Sequence, residues 1–405
     1  MRATIQKTGI LQNELDLREV VLQHLYSAQD DPLQIEERED GFFIRRSIHI
    51  LGKVYIEASG LCNLACRTCI RNVLSQEFGY MSQEVFENIL DGVSSYSPAP
   101  EIFFGGFGEP LTHPRIVEWV ALARQASNTV EMVTNGVLLD EKRAQGLIDS
   151  GLTGLWVSLD GASAESYADI RLGSTLEVVI KNLERFHTLA QRARQDKLKI
   201  GVVFVAMKRN LSELSKLIQM SSRLGVSRFL ITNIMPYSAE MCSQTLYARS
   251  ADELDIPPNP WSPQVDFPPM DREAFLTNSF LRSAQLTNTS HNRCPFIERG
   301  SMAIAWNGAV SPCLPLMVNH TSYLGRLKRE VQQYLVGNLT TQSLTQVWED
   351  AAYRAFRKKV REFDFAPCTA CASCEKAESN QEDCFGNTFP TCGGCLWAQG
   401  FIRCP

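Results

Sequence analysis

Cys62-Asn63-Leu64-Ala65-Cys66-Arg67-Thr68-Cys69 sets three thiols at C-x3-C-x2-C spacing, directly after the strand-like run Lys53 to Ala58. A structural zinc or a closed iron–sulfur cubane takes four protein ligands, so three thiols in one compact loop leave one metal position open. On a 4Fe-4S cubane, Cys62, Cys66 and Cys69 would fix three irons, and the fourth would bind an exogenous chelating ligand while the cluster supplies an electron. The competing reading is a structural site closed by a thiol from elsewhere, such as Cys242. Spacing alone leaves both open.

Immediately upstream, Phe42 to Ile50 and Lys53 to Ala58 are β-branched and aromatic runs divided by Leu51-Gly52, a pattern that predicts a hairpin delivering the cysteine loop. Further upstream stand a short helical lead, Leu15 to Tyr26, and an acidic segment, Asp30 to Asp40. Downstream, helical patterns at 82–95, 114–126, 140–149, 174–193 and 212–223 alternate with apolar runs. Those runs are Glu101 to Phe104, Val130 to Thr134, Gly154 to Leu159, Lys199 to Ala206 and Arg228 to Thr232. With the strand before the cysteines they make six β/α units of parallel, buried strands. Such a barrel, open or closed, carries its working residues at the C-terminal ends of its strands.

The strand ends are furnished accordingly. Phe104 is followed by Gly105-Gly106-Phe107-Gly108-Glu109-Pro110, where missing side chains let a ligand approach the backbone and Glu109 adds an acceptor; tight packing is the plain alternative. Thr134-Asn135-Gly136 ends the third barrel strand, and Ser158-Leu159-Asp160-Gly161 the fourth, with Arg171 beyond. Small hydrogen-bonding groups and a bidentate cation suit ribose hydroxyls and a carboxylate. Singly, Asn135-Gly136 reads as a turn and Asp160 as a helix N-cap before Ser163 to Tyr167.

Thirteen cysteines in 405 residues, grouped at 62–69 and 368–404, point to metal ligation in a reducing compartment rather than to disulfides. The net charge of −5 supplies no field for nucleic acid or anionic lipid, and no run approaches a membrane span or a signal-peptide core. Nucleic acid and membrane are therefore not expected partners, and a cytoplasmic protein is expected. Six prolines between Pro257 and Pro269 mark a stiff connector. After it come a short helix near Arg272 to Ser283, a hairpin turning at Asn307-Gly308 behind Ser301 to Trp306, and a helix over Thr340 to Arg361. The chain thus divides into a helical lead and hairpin strand (1–49), a barrel (50–235), a Pro-rich linker (236–290) and a cysteine-dense domain (291–405).

The C-x3-C-x2-C loop, Gly-Gly-Phe-Gly-Glu-Pro, Thr-Asn-Gly and Ser-Leu-Asp-Gly together resemble the radical S-adenosylmethionine (radical SAM) enzymes over about residues 50–235. The resemblance implies an α/β fold, a partial (β/α)6 radical SAM barrel. It also implies a 4Fe-4S cluster on Cys62, Cys66 and Cys69, with SAM on the open iron. The cofactor-binding positions it implies are Gly105, Gly106, Gly108, Glu109, Asn135, Ser158, Asp160 and Arg171, with the Gly105 to Glu109 segment meeting the amino group of SAM. No residue is assigned as a catalytic acid or base. An electron donor such as ferredoxin or flavodoxin is implied as a partner.

The tail thiols are Cys294, Cys313, Cys368, Cys371, Cys374, Cys384, Cys392, Cys395 and Cys404. Eight of these nine would hold two further 4Fe-4S clusters; zinc knuckles are the competing use of C-x2-C pairs. The tail resembles the SPASM extension of radical SAM maturases, with two auxiliary clusters. Cys294 to Cys313 matches its opening, although seventeen residues separate Cys374 from Cys392, and Cys368 and Cys384 are extra. The stretch Cys384 to Gly400 resembles the maturases associated with tungsten-cofactor aldehyde oxidoreductases. The implied function is a maturase that cleaves SAM to a 5′-deoxyadenosyl radical and takes hydrogen from a protein, peptide or cofactor-precursor substrate. The alternatives are thioether or carbon crosslinking of a peptide, and a non-catalytic iron–sulfur or zinc scaffold. Cys242 reads as a buried spare thiol, and Tyr237 and Asn233 as residues near the cavity at the sixth strand's end.

Overall fold

The computed structural model describes residues 33–38, 41–46, 49–195, 197–247, 292–324, 327–369 and 374–405. Six strands run parallel in chain order: β3 (Lys53–Ile56), β4 (Glu101–Phe104), β5 (Val130–Thr134), β6 (Gly154–Ser158), β7 (Lys199–Ala206) and β8 (Val226–Asn233), after a separate hairpin of β1 (Leu33–Arg38) and β2 (Gly41–Arg46). All four residues of β3 are buried, as expected of a strand covered on both faces. The helices between strands start where the chain supplies an acceptor. Ser82, Asp140 and Ser163 each take a backbone N–H of the helix they precede, at Val85, Arg143 and Ser166. Their apolar faces close the core, with Phe86 stacked on Trp119 at 4.1 Å.

The expected hairpin between Phe42 to Ile50 and Lys53 to Ala58 does not form. β2 pairs with β1, and β3 instead takes a parallel neighbour from the far end of the chain, β9 (Ser301–Ile304), in register Lys53↔Ser301 to Ile56↔Ile304. β9 turns at Asn307-Gly308, where Gly308 has φ +82°, into β10 (Ala309–Ser311), and β10 pairs with β13 (Gly337–Asn338). The cysteine-dense region therefore extends the barrel sheet to nine strands. A second hairpin, β11 (His320–Leu324) with β12 (Leu327–Val331), stands apart from it.

A row of six strands leaves its first and last members unpaired with each other. Residues 401–405 cross that gap. Asn233 donates to Phe401 O (2.9 Å) and Arg403 N–H to Thr232 Oγ1 (2.8 Å), while Tyr55 and Lys53 both donate to Pro405 O, at 2.7 and 3.0 Å. The helix expected over Thr340 to Arg361 is two helices, Leu344–Trp348 and Ala351–Glu362, broken where Asp350 caps the second through Tyr353 N–H. The expected helices at Leu15 to Tyr26 and Arg272 to Ser283, and the Pro-rich connector, lie outside the described residues. Among the described residues no helix is long and apolar enough to cross a membrane.

Trp348 anchors the two C-terminal helices to the barrel. It is fully buried, donates to His49 O at 2.8 Å, meets Tyr353 edge-on at 5.6 Å and lies 3.7 Å under the Arg357 guanidinium. Trp348→Ala should destabilise the protein by ~3–5 kcal/mol, the usual cost of an emptied aromatic site. The measurement is the anaerobic thermal midpoint, and an unchanged midpoint would contradict this anchoring.

Candidate active site

The C-terminal ends of β3, β4, β5 and β6 carry the sequence-predicted front residues, and buried carboxylates tie these ends together. Glu57, one residue beyond β3, is buried; its Oε1 accepts Phe107 N–H at 2.8 Å and its Oε2 accepts Trp306 N–H at 3.4 Å. Burial pushes its carboxyl up to about 7, against the backbone hydrogen bonds that favour the ionised form. Glu109 accepts from Leu111 N–H (3.1 Å), Thr134 Oγ1 (2.7 Å) and Asn135 N–H (2.7 Å), and burial raises its carboxyl as well. Its acceptor capacity is thus largely used in joining the ends of β4 and β5. Asp160 accepts Val205 N–H from β7 at 2.8 Å and pairs with Arg171, whose Nε lies 2.7 Å from Oδ2. It is not the cap of the following helix; Ser163 is.

The glycines have a packing reason. A Cβ on Gly106 would overlap the Glu57 side chain, one on Gly108 would overlap the backbone at Ser59 to Leu61, and one on Gly105 would press on Phe103 and Val133. They let the loop after β4 lie directly on the entry to the cysteine loop, where Glu109 N–H donates to Leu61 O at 2.8 Å. Trp306, from the β9–β10 turn, packs on Gly60 and Gly79 on the other side of that entry.

Cys66 is buried, and Cys62 and Cys69 are half-buried. Two side-chain donors reach two of these thiols, one from the end of β5 and one from the C-terminus of the helix Ala164–Ile170 after β6. Asn135 Nδ2 lies 3.8 Å from Cys62 Sγ and 2.9 Å from Asn63 Oδ1, and Arg171 Nη1 lies 3.7 Å from Cys66 Sγ. Leu64 N–H adds a third contact, at 3.5 Å, to Cys62 Sγ. Burial, with the neighbouring thiols assisting, raises the Cys69 thiol. Ser158 is half-buried at the end of β6. Among the described residues no three His, Cys, Asp or Glu side chains converge closely enough to hold a single metal ion. A cubane makes no such demand, since each thiolate binds a different iron and the ligands stand around a volume. Donors aimed at the sulfurs fit an anionic cluster, whose potential such hydrogen bonds tune.

In the tail, Cys294, Cys313, Cys368, Cys392 and Cys395 line one cavity, walled otherwise mostly by apolar side chains such as Phe296, Leu316, Leu396 and Trp397, with Arg329, His320 and Asn380 among the polar ones. Burial pushes the Cys294 thiol up to about 12 and raises Cys313 and Cys392, and the neighbouring thiols add to each shift. Cys374 and Cys404 are half-buried, and Trp397 Nε1 donates to Cys404 Sγ at 3.2 Å. Cys384 is exposed, on a loop whose backbone is held by Asp383, and Cys371 lies outside the described residues. Cys242 is half-buried, with its thiol 3.7 Å from Ser238 O. Sequence reading passed over Glu57, Trp306 and Arg329. Of these only Glu57 carried a signal, an ionisable residue inside an apolar strand run.

Residues 56–216 match the radical SAM superfamily, and residues 294–375 match SPASM, an iron–sulfur cluster-binding domain. The chain is a radical SAM superfamily enzyme with a SPASM domain. It is similar to the tungsten-containing aldehyde ferredoxin oxidoreductase cofactor-modifying protein of Pyrococcus furiosus, 27% identical over 362 residues, covering 87% of this chain and 96% of the relative. A more partial likeness, 27% over 203 residues, is to the PqqA peptide cyclase of Bradyrhizobium diazoefficiens, of which the chain spans 51%. Among solved structures, SuiB of Streptococcus suis shares the fold, with TM-score 0.54, 16% identity and coverage of 79% of this chain and 70% of that one.

The raised Glu57 carboxyl gives a pH dependence of stability. A carboxyl shifted from 4.5 to about 7 in the folded state contributes stability that is present below pH 4.5 and lost as pH rises through 7. The whole effect is on the order of 3 kcal/mol. Glu57→Gln should therefore become progressively more stable relative to the wild type as pH rises from 4.5 to about 7, and the difference should level off above that. Thermal midpoints across that range test it; parallel curves would mean that Glu57 does not titrate there.

Proposed function

We propose that Cys62, Cys66 and Cys69 hold a 4Fe-4S cluster whose open iron takes SAM, and that the chain works as a maturase on a cofactor precursor of a tungsten oxidoreductase. The carrying observation is that Asn135 from the end of β5, and Arg171 from the C-terminal end of the helix after β6, reach the sulfurs of Cys62 and Cys66. When bound, the cluster supplies one electron to the sulfonium of SAM, whose cleavage yields a 5′-deoxyadenosyl radical that takes a hydrogen atom from the substrate.

The protein's own groups orient and enclose. Arg171, fixed by Asp160, presents a guanidinium to Cys66 and to the space beside it, suited to a carboxylate. Gly105 to Glu109 offers backbone beside the loop, Asn135 bridges to Asn63, and Ser158 completes the polar perimeter. Residues 401–405 and β9 shut the side of the barrel, excluding water from the reacting centre.

We assign one auxiliary cluster to Cys294, Cys313, Cys392 and Cys395, which share the cavity and act on one another's thiols. Cys368, Cys371 and Cys374, with Cys404, supply thiols for a second, and exposed Cys384 is left out of the set. The substrate assignment rests on the likeness to the tungsten-cofactor-modifying protein over nearly the whole of that relative. A peptide precursor is the second reading, favoured by the partial likeness to a peptide cyclase. A ferredoxin or flavodoxin is the proposed electron donor, in a reducing cytoplasm.

Anaerobic reconstitution should give about twelve irons per chain and reductive cleavage of SAM to 5′-deoxyadenosine. Cys69→Ala should abolish cleavage while the tail iron stays. Cleavage persisting in this variant would remove the front loop as the active site, and stoichiometric zinc without cleavage would refute the enzyme mechanism.

A further inference from the structure

Arg329, in the middle of β12, is buried in the wall of the cysteine-lined cavity. Its Nη1 donates to Ala377 O at 2.9 Å, and the guanidinium is hydrogen-bonded with the Cys368 side chain. The same Nη1 lies so close to Gly394 that a Cβ there would overlap it. Gly394 stands between Cys392 and Cys395, so the cation is pressed against the short loop that carries two of the four thiols assigned to one cluster.

Among the described residues, Arg171, Arg228 and Arg293 pair with the carboxylates of Asp160, Glu131 and Glu298, while the fully buried Arg357 lies over the rings of Trp348 and Tyr353 and donates to Trp348 O. The groups that act most on Arg329 are thiols, Cys368, Cys395 and Cys392. A buried guanidinium surrounded by neutral thiols would carry a large desolvation cost with little to offset it. The same residue beside an anionic cluster is paired.

We propose that Arg329, pressed on the Cys392 to Cys395 loop and bonded to the Cys368 thiol of the second set, is the internal counter-ion of the auxiliary cluster held by Cys294, Cys313, Cys392 and Cys395, and that its fixed charge raises that cluster's reduction potential. The inference rests on the cluster assignment made above. Reduction adds one electron and no proton, so the cluster becomes more negative by one charge. A cation a few ångströms away in a poorly screened interior stabilises that form more than the oxidised one. Arginine suits the task because it stays charged when buried and its planar fork serves Ala377, Cys368 and the cluster side at once.

The test uses the full chain with Cys62→Ala, Cys66→Ala and Cys69→Ala, so that only tail iron reports, titrated with dithionite and read by electron paramagnetic resonance. Arg329→Lys, Arg329→Gln and Arg329→Met are compared with this parent for iron content and midpoint. Lys should keep the parent midpoint. Gln and Met should shift the reduction equilibrium toward the oxidised form by about tenfold or more, which is ~59 mV for one electron. A neutral variant with full iron and an unmoved midpoint overturns the proposal. If both neutral variants lose tail iron while Lys keeps iron and midpoint, the counter-ion role stands. Loss of iron in all three would make Arg329 a structural strut and overturn it. A parent without tail iron would refute the cluster assignment itself, a distinguishable result.

Discussion

The front of this molecule depends on buried carboxylates that each leave one strand end and accept a backbone N–H from another. Glu57 reaches from β3 to Phe107 after β4, Glu109 from there to Asn135 after β5, and Asp160 from β6 to Val205 on β7. Strand ends shed their ladder partners just where a working face must be rigid, so their amides need acceptors from side chains. Glu57 and Glu109 each serve two such amides, and these bonds offset only part of the cost of burial, since both carboxyls stay raised. The consequence is geometric. Loops that would otherwise move independently are locked edge to edge, and Cys62 and Cys66 inherit that rigidity through Asn135 and Arg171.

The barrel was legible because parallel strands buried on both faces write themselves as apolar runs. Glu101–Phe104, Val130–Thr134 and Lys199–Ala206 match those runs residue for residue. What the runs do not carry is partner choice. Lys53–Ile56 could be read as the second arm of a local hairpin, whereas its neighbour is Ser301–Ile304, and nothing in either segment names the other. The glycines of the loop after β4 were visible, but their cause was not: Gly106 makes room for Glu57 and Gly108 for the backbone at Ser59 to Leu61, and neither contact has a local signature. The same holds for the tail, where C-x2-C spacing announced metal but could not tell that Cys392 and Cys395 join Cys294 and Cys313 while Cys384 faces solvent.

The two thiol groups sit in different dielectric settings. The front loop is partly exposed and lined with hydrogen-bonding groups, as befits a centre that must admit and release a polar molecule. The tail cavity is mostly apolar, and burial raises its thiols still further above their ordinary value. Metal binding there must expel protons and leave anionic sulfur in a medium that disfavours charge. A cation in the wall is the physical answer to that difficulty, and Arg329 is placed against the Cys392 to Cys395 loop.

The segment that closes the barrel also joins these settings. Residues 401–405 run from the end of β8 to β3, and Cys404 travels with them into the interior, bonded by Trp397 of the cavity wall. Tyr237, just past β8, has both Cys69 and Cys404 among the groups that raise its phenol, after burial itself, and its ring meets His320 of the cavity edge-on at 5.7 Å. One partly buried aromatic side chain is thus within electrostatic reach of both the front loop and the tail. Because β9 is hydrogen-bonded to β3 along its whole length, neither region can shift against the other without breaking the sheet that delivers the first cysteine. The placement of the tail thiols relative to the front loop is therefore fixed by backbone pairing rather than by a flexible domain contact.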